Sequence, residues 1–360
     1  MQFRRREALK LGFTGLVSAG CSRSPSPRLA GAAPRRAEVA SSLALAPGEV
    51  GVEVSPPPGT FTLAFGSCSR PNLAQPLWSD VRNLAPDAWA WLGDIVYADT
   101  ENVERTRALY RAQAARSDYA AVVAQMQVVG IWDDHDLGKN DIGAEYPKLP
   151  ESQAALLDFL GEPPDSPRRG RLGTYASYDF GEGAKSVKLV LLDARYHRDL
   201  PSARGDTLGE AQWTWLEREL STSTARVNIV ASGYQVLPID HSNEKWGNFP
   251  AARARLLDLV ARTRVQGLVL LSGDRHFAEL SRLESHDLHY PLHELTSSGL
   301  THAYDSADEP NRFRIGSLYP HRNFGAVRID WDTGELALEA REKGGRVVVG
   351  TTVRLSALAV

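Results

Sequence analysis

Short apolar runs recur along the chain, each closed by a small residue and then by polar ones: Phe61–Gly66, Ala88–Leu92, Val128–Ile131, Val187–Leu192, Val227–Ser232 and Gly267–Ser272. Runs of this length bounded by turn residues predict strands. Between them the apolar positions take helical spacing. Pro76 to Leu84 predicts a short helix, and Glu101 to Gln127 a longer one through Leu109, Tyr110, Tyr119, Val122, Val123 and Met126. Leu208 to Leu220 and Ala251 to Arg262 predict two more. Strict alternation returns in Ala326–Asp330 and Leu336–Ala340 around Asp332-Thr333-Gly334, and a strand near Val347 to Leu355 completes a meander. Strands alternating with helices predict a layered α/β fold. The exception is 141–175, polar and proline-rich, which predicts an excursion with one short helix (Ser152–Leu160), a candidate lid; Tyr175–Phe180 then pairs with the next strand through Gly181-Glu182-Gly183.

The ends of these runs carry the chemistry. Asp133-Asp134-His135-Asp136 packs three carboxylates and an imidazole into four consecutive positions after a strand. A charged surface turn is one explanation. The other is that the side chains converge on a cation, which converts their repulsion into attraction. Two further tips favour the second. Gly93-Asp94 is followed by Tyr97 and Asp99, and Gly273-Asp274 by Arg275 and His276. Cys68 follows the first strand, where a bound cation would hold its thiol deprotonated. Gln235 leaves a fifth tip, and Arg195 follows Asp193 as a candidate for an anionic substrate, with an ordinary ion pair as the alternative. His293 and His302 stand on less ordered ground and read as satisfied or exposed histidines. In a layered α/β fold such tips converge on one side of the sheet. Thiolate, phenolate and imidazole suit iron or zinc, while carboxylates and the Asn140 amide suit a harder ion.

Charge adds an address. The chain of 360 residues has a formal charge of −3, yet through Arg36 eight basic residues face Glu7 alone, +7, so the remainder carries −10. An acidic body argues against a general nucleic-acid grip and fits a protein that collects cations. The basic head, with Arg5-Arg6-Glu7-Ala8-Leu9-Lys10, resembles a twin-arginine export motif. Its apolar stretch Leu11–Ala19 is too short to span a bilayer and ends at Val17-Ser18-Ala19-Gly20-Cys21. That end resembles a lipoprotein cleavage site with Cys21 lipidated, except that Ser18 replaces the usual Leu. Residues 1–21 are thus expected to be an export signal, 22–59 (rich in Ser, Pro and Ala) a flexible tether, and 60–360 one catalytic domain. The only other cysteine is Cys68, so no disulfide remains once Cys21 is cleaved or lipidated.

Gly66-Ser67-Cys68, Gly93-Asp94-Ile95-Val96-Tyr97-Ala98-Asp99, Trp132-Asp133-Asp134-His135-Asp136, Leu192-Asp193-Ala194-Arg195, Gln212-Trp213-x-Trp215-Leu216 and Ser272-Gly273-Asp274-Arg275-His276 resemble, in order, the motifs of the PhoD-like alkaline phosphatases and phosphodiesterases, within the calcineurin-like metallophosphoesterases. The resemblance implies a four-layer α/β/β/α sandwich and a binuclear centre of Fe3+ and Ca2+, with Zn2+, Mn2+ or Mg2+ as alternatives in one position. It places Cys68, Asp94, Tyr97 and His276 on the iron and Asp94 as the bridge. Asn140 and Asp274 fall near the calcium side, with either Asp133 or Asp134 as a further ligand. His135 becomes the proton donor to the leaving oxygen. It further implies hydrolysis of phosphate monoesters or diesters, small or polymeric, by a metal-activated hydroxide. A diesterase specific for lipid or cell-wall polymers and a non-catalytic metal-binding surface protein are the alternatives. Longer members carry an extra N-terminal β domain, expected to be missing here along with any substrate contacts it supplies. The protein is expected to be a monomer that meets membranes only through a lipid anchor at Cys21.

Overall fold

The computed structural model describes residues 59–360; the expected export signal, Cys21 and all but the last residue of the expected tether lie outside the described residues. The first strand, β1 (Thr60–Gly66), runs parallel to β2 (Ala88–Leu92), and β2 to β3 (Gln127–Ile131). The C-terminal meander β11 (Phe324–Asp330), β12 (Glu335–Arg341) and β13 (Val347–Arg354) joins antiparallel to the free side of β1 and completes a six-stranded sheet. The second sheet has seven strands, in the order β10-β8-β9-β7-β6-β5-β4. These are β4 (Ala176–Phe180), β5 (Val187–Leu191), β6 (Val227–Ser232), β7 (Leu268–Ser272), β8 (Ala278–Leu283), β9 (Leu292–Ser297) and β10 (Arg314–Tyr319). Within it β5, β6 and β7 are parallel neighbours.

The period of two along each strand decides the layers. In β2, Ala88, Ala90 and Leu92 face the core shared with the second sheet, while Trp89 and Trp91 face outward. There they meet α1 (Trp78–Leu84), α2 (Val103–Ala114), α3 (Ser117–Gln125) and α5 (Leu149–Phe159). Trp78 lies edge-on to both, with ring centroids 4.9 Å and 5.5 Å away. On the far side α6 (Gly209–Ser221) and α7 (Pro250–Thr263) cover the second sheet through Trp213, Leu216, Leu256 and Leu259. Helices, sheet, sheet and helices give the four-layer α/β/β/α sandwich. Among the described residues no helix is long and apolar enough to cross a membrane.

Two expectations change, and three strands were not foreseen. The helix expected over 101–127 breaks at Ala115–Arg116 into α2 and α3, with Arg116 extended. The excursion at 141–175 is not a lid. Its helix α5 is bound to α2 by the Arg107–Asp158 ion pair, at the outer layer. Its later turn is anchored by buried Arg168, which donates to the carbonyls of Gly130 and Thr174. Finally, β8, β9 and β10 carry no apolar run in the sequence.

Candidate metal centre

The parallel triples β1-β2-β3 and β5-β6-β7 send their carboxyl ends into loops that meet. The loop after β1 is tied across the sheets, since Gly299 and Leu300 donate to the Ser67 carbonyl and Asp274 N to Ser67 Oγ. The approach is close at the glycines. A Cβ on Gly93 (φ +86°) would strike Asp133 Cβ, and would lie 2.7 Å from its nitrogen. Among the described residues, eight non-glycine residues have positive φ, and six of these are Cys68, Asp94, Asp99, Asp141, Asp274 and His276. Such conformations persist only where the surroundings impose them, and they gather at functional sites.

Cys68, Asp94 and His276 offer ligand atoms that all lie within 4.8 Å of one another. Asp94, Asp134 and His135 form a second such group, and Asp134, Asp141 and Glu244 a third. Asp94 belongs to the first two, so the two groups share one carboxylate. Tyr97 completes the first group, its hydroxyl 2.8 Å from His276 Nε2. The buried Asp94 Oδ1 and His276 Nδ1 have no hydrogen-bond partner. Those orphaned atoms and the donor set fit a cation better than they fit one another.

The electrostatics of the protein alone say the same. Burial, then Asp134 and Asp133, hold the Asp94 carboxyl well above its usual range. Burial, then Asp94 and Asp274, push the Cys68 thiol up, and burial followed by Asp94 and Cys68 does so for the Tyr97 phenol. Asp274 is raised to about 7, chiefly by burial. Asp134 differs: burial works to raise it, but Arg195 and then His135 prevail and lower it. Like charges crowded out of water, with thiol and phenol beside them, call for positive charge.

Of the aspartate pair, Asp134 thus faces the ligand atoms. Asp133 turns to Arg195 Nε, and Asp136 is structural: its carboxylate accepts from the backbone of Ile95, Val96 and Asp133 and from the Tyr110 hydroxyl. Together they close the single turn α4 (Asp134–Leu137), where the sequence suggested a loop. His135 rests on Tyr97, ring centroids 4.1 Å apart, and its Nδ1 lies 2.6 Å from Asp99 Oδ1. Asn140 and Asp274 line a cleft of about 330 Å³ beside His135 and His276, walled also by Asn243 and Tyr304.

Two expectations fail on burial. Arg195 is 0% exposed, bound to Asp133 and bidentately to Glu244, so its donors are consumed inside the protein and cannot reach a substrate. Gln235 turns into the second sheet, where its amide donates to Glu279 and Thr296. The companion Asp193 is structural, accepting from the backbone of Thr174, Arg195 and Tyr196.

Three residues at the site were not among the expected ligands. Asp141 follows Asn140, and its nitrogen donates to Asp134 Oδ2 at 2.6 Å; its place beside the aspartate stretch was the available signal. Glu244 lies in a long loop with no local signal. His302, read as an ordinary histidine, has its ring 4.5 Å from His276 and 5.0 Å from Tyr97.

A family model described as PhoD-like phosphatase matches residues 63–338. Alkaline phosphatase D of Bacillus subtilis is 26% identical over a match covering 51% of this chain and 36% of that protein, so the chain spans little more than a third of the relative's length. Among solved structures, a PhoD structure is similar at TM-score 0.65 and 17% identity, covering 82% of this chain and 68% of the other. A purple acid phosphatase from yellow lupin seeds follows at TM-score 0.60 and 14% identity, covering 85% and 56%. The Plasmodium protein described as the anchor in the inner membrane complex shares the fold at TM-score 0.57 and 14% identity, covering 82% and 89%, so the architecture alone does not fix a role. With the family model spanning most of the chain and the ligand-type residues meeting at the strand tips, the chain belongs to the PhoD-like phosphatase family.

Proposed function

We propose that the protein is an exported phosphoesterase working at a binuclear metal centre of the Fe3+–Ca2+ type, Zn2+, Mn2+ or Mg2+ being alternatives at one position. The observation that carries this reading is the convergence of Cys68, Asp94 and His276 from three distant segments, with orphaned ligand atoms on Asp94 and His276. Cys68, Asp94, Tyr97 and His276 would hold the first cation. Asp94 would be shared with a second, held by Asp134 together with Asn140, Asp141, Glu244 or Asp274. When bound, such a pair supplies Lewis acidity at the phosphoryl oxygens and a hydroxide at neutral pH.

The remaining steps belong to the protein. His135 stands on the cleft with Nδ1 tied to Asp99, which leaves Nε2 to give a proton to the departing oxygen. Arg195 neutralises Asp133 and Glu244 from behind, so that Asp134 keeps its charge toward the cleft. Export by the twin-arginine route and a lipid anchor at Cys21 go with this reading, on the motif at Arg5-Arg6.

The test is metal analysis of the pure protein together with hydrolysis of a chromogenic phosphomonoester and a matched diester. His276→Ala should lose one metal and turnover together; wild-type turnover in that variant would end the assignment. A tyrosinate-iron bond absorbs visible light, so bleaching in Tyr97→Phe would locate the iron. A strong diester preference would favour lipid or polymer diesters as the substrate. Bound metal without hydrolysis of either ester would favour a non-catalytic role.

A further inference from the structure

We infer that Arg70 is the residue that grips the substrate's phosphoryl group, an inference that rests on the phosphoesterase reading. Beside the bound metals, an anion entering a site lined by Asp94, Asp134, Asp141, Glu244 and Asp274 is held further by a protein cation with unspent donors. Of the arginines around the cluster, three cannot serve. Arg195 is enclosed by Asp133 and Glu244, Arg198 is buried against Glu244, and Arg275 is buried against Asp274 and Glu309. Arg70 is exposed, and among the described residues its guanidinium has no ion pair and donates no hydrogen bond.

Its position is nonetheless held. The backbone on either side is fixed, Ser69 N donating to the Asp94 carbonyl at 2.8 Å and Arg70 N to Thr301 Oγ1 at 3.1 Å. The guanidinium carbon sits 4.2 Å from the centroid of the Tyr97 ring, the ring whose hydroxyl touches His276 and which lies tilted against His135. A cation–π contact of this kind holds the guanidinium without using its N–H donors. The side chain is therefore held over Tyr97, next to the residues that wall the cleft, with donors unspent on the protein and able to meet two phosphoryl oxygens. Because a monoester carries one more negative oxygen than a diester, a lone free guanidinium here favours the monoester.

Inorganic phosphate is the probe, titrated calorimetrically into metal-loaded protein, with KM and kcat measured on a phosphomonoester and its methyl diester. Arg70→Ala should weaken phosphate binding and raise the monoester KM roughly 10- to 100-fold, the worth of a charge-assisted hydrogen-bond pair. The diester KM should move less, and metal content and the urea midpoint should stay at wild-type values because the side chain is exposed. Arg70→Lys should recover part of the phosphate affinity, since it restores charge without the fork. Unchanged phosphate affinity and KM in Arg70→Ala, or a change explained by lost metal, would overturn the inference. Should the wild type bind no metal and cleave no phosphoester, the phosphoesterase reading fails; equal phosphate affinity of wild type and Arg70→Ala would then sink the role of Arg70 separately.

Discussion

Replacing Arg195 by Met tests whether this buried guanidinium serves the fold or the substrate. In the structure it donates Nε to Asp133 and both terminal nitrogens to Glu244, and it lies 3.8 Å from Asp134 Oδ1. It also covers the Tyr234 ring at 4.8 Å, a packing contact that Met keeps. Removing one partner of a buried ionic cluster leaves the others uncompensated, at about 3–5 kcal/mol. Against a total stability of roughly 5–15 kcal/mol, that is enough to bring the metal-loaded protein near unfolding. The assay is urea denaturation of wild type and Arg195→Met between pH 8 and pH 5. The pH dependence has a definite sign. Burial already raises Glu244 above its usual value, against the pull of Arg195 and Arg198. Without Arg195 the folded-state values of Glu244 and Asp133 rise further above the unfolded ones. The folded variant then binds more protons than its unfolded chain, so its deficit is largest at pH 8 and shrinks as pH falls. Asp133→Asn added to Arg195→Met should recover part of the loss through a coupling on the order of 0.5–3 kcal/mol. An Arg195→Met protein with the wild-type midpoint throughout and only a raised KM would refute the reasoning and return Arg195 to the substrate.

Three further outcomes are expected. Gly93→Ala should cost about 3 kcal/mol or more in the same urea assay and reduce bound metal, because an L-residue at φ +86° is strained and its Cβ meets Asp133. His135→Ala should lower turnover about 10²- to 10⁴-fold on esters with poor leaving groups, and Asp99→Asn by less, both with metal content intact; equal loss on good leaving groups would remove His135 from proton donation. In chelated protein, Asp274→Asn should gain stability relative to wild type as pH rises from about 4 to about 7. Over that window wild type must ionise a carboxyl raised to about 7, at a cost on the order of 4 kcal/mol, and the amide does not. A pH-independent difference between the two would contradict it.

How far the site could be read from sequence depends on what local order records. Cys68, Asp94, Tyr97, the Asp133–Asp134 pair, His135 and His276 each follow an apolar strand at its exit, so strand period and turn residues were enough to single them out as candidates. The interior of the second sheet was hidden for the opposite reason. In β8 and β9 the buried positions include Glu279, Ser281, Glu294 and Thr296, which interrupt any apolar run. Their partners come from afar: Arg314 binds Glu279, and the backbone of Val236 and Leu237 donates to Glu294. A buried polar group is paired through tertiary contacts, and composition cannot announce its partner.

The sequence by itself determined the layered architecture, the order of the strands that carry ligands, and the kinds of atom they offer, because strand period and exit residues are properties of neighbours along the chain. Only the tertiary structure decided which aspartate of the pair joins the clusters of ligand-type atoms and which pairs with Arg195. It also brought Asp141 and Glu244 beside Asp134, and left Arg70 exposed over Tyr97 while Arg195 is buried against Asp133 and Glu244. Those outcomes depend on burial and on charge partners tens to hundreds of residues distant, and charge pairing inside a protein follows distance in space, which falls off without regard to distance along the chain.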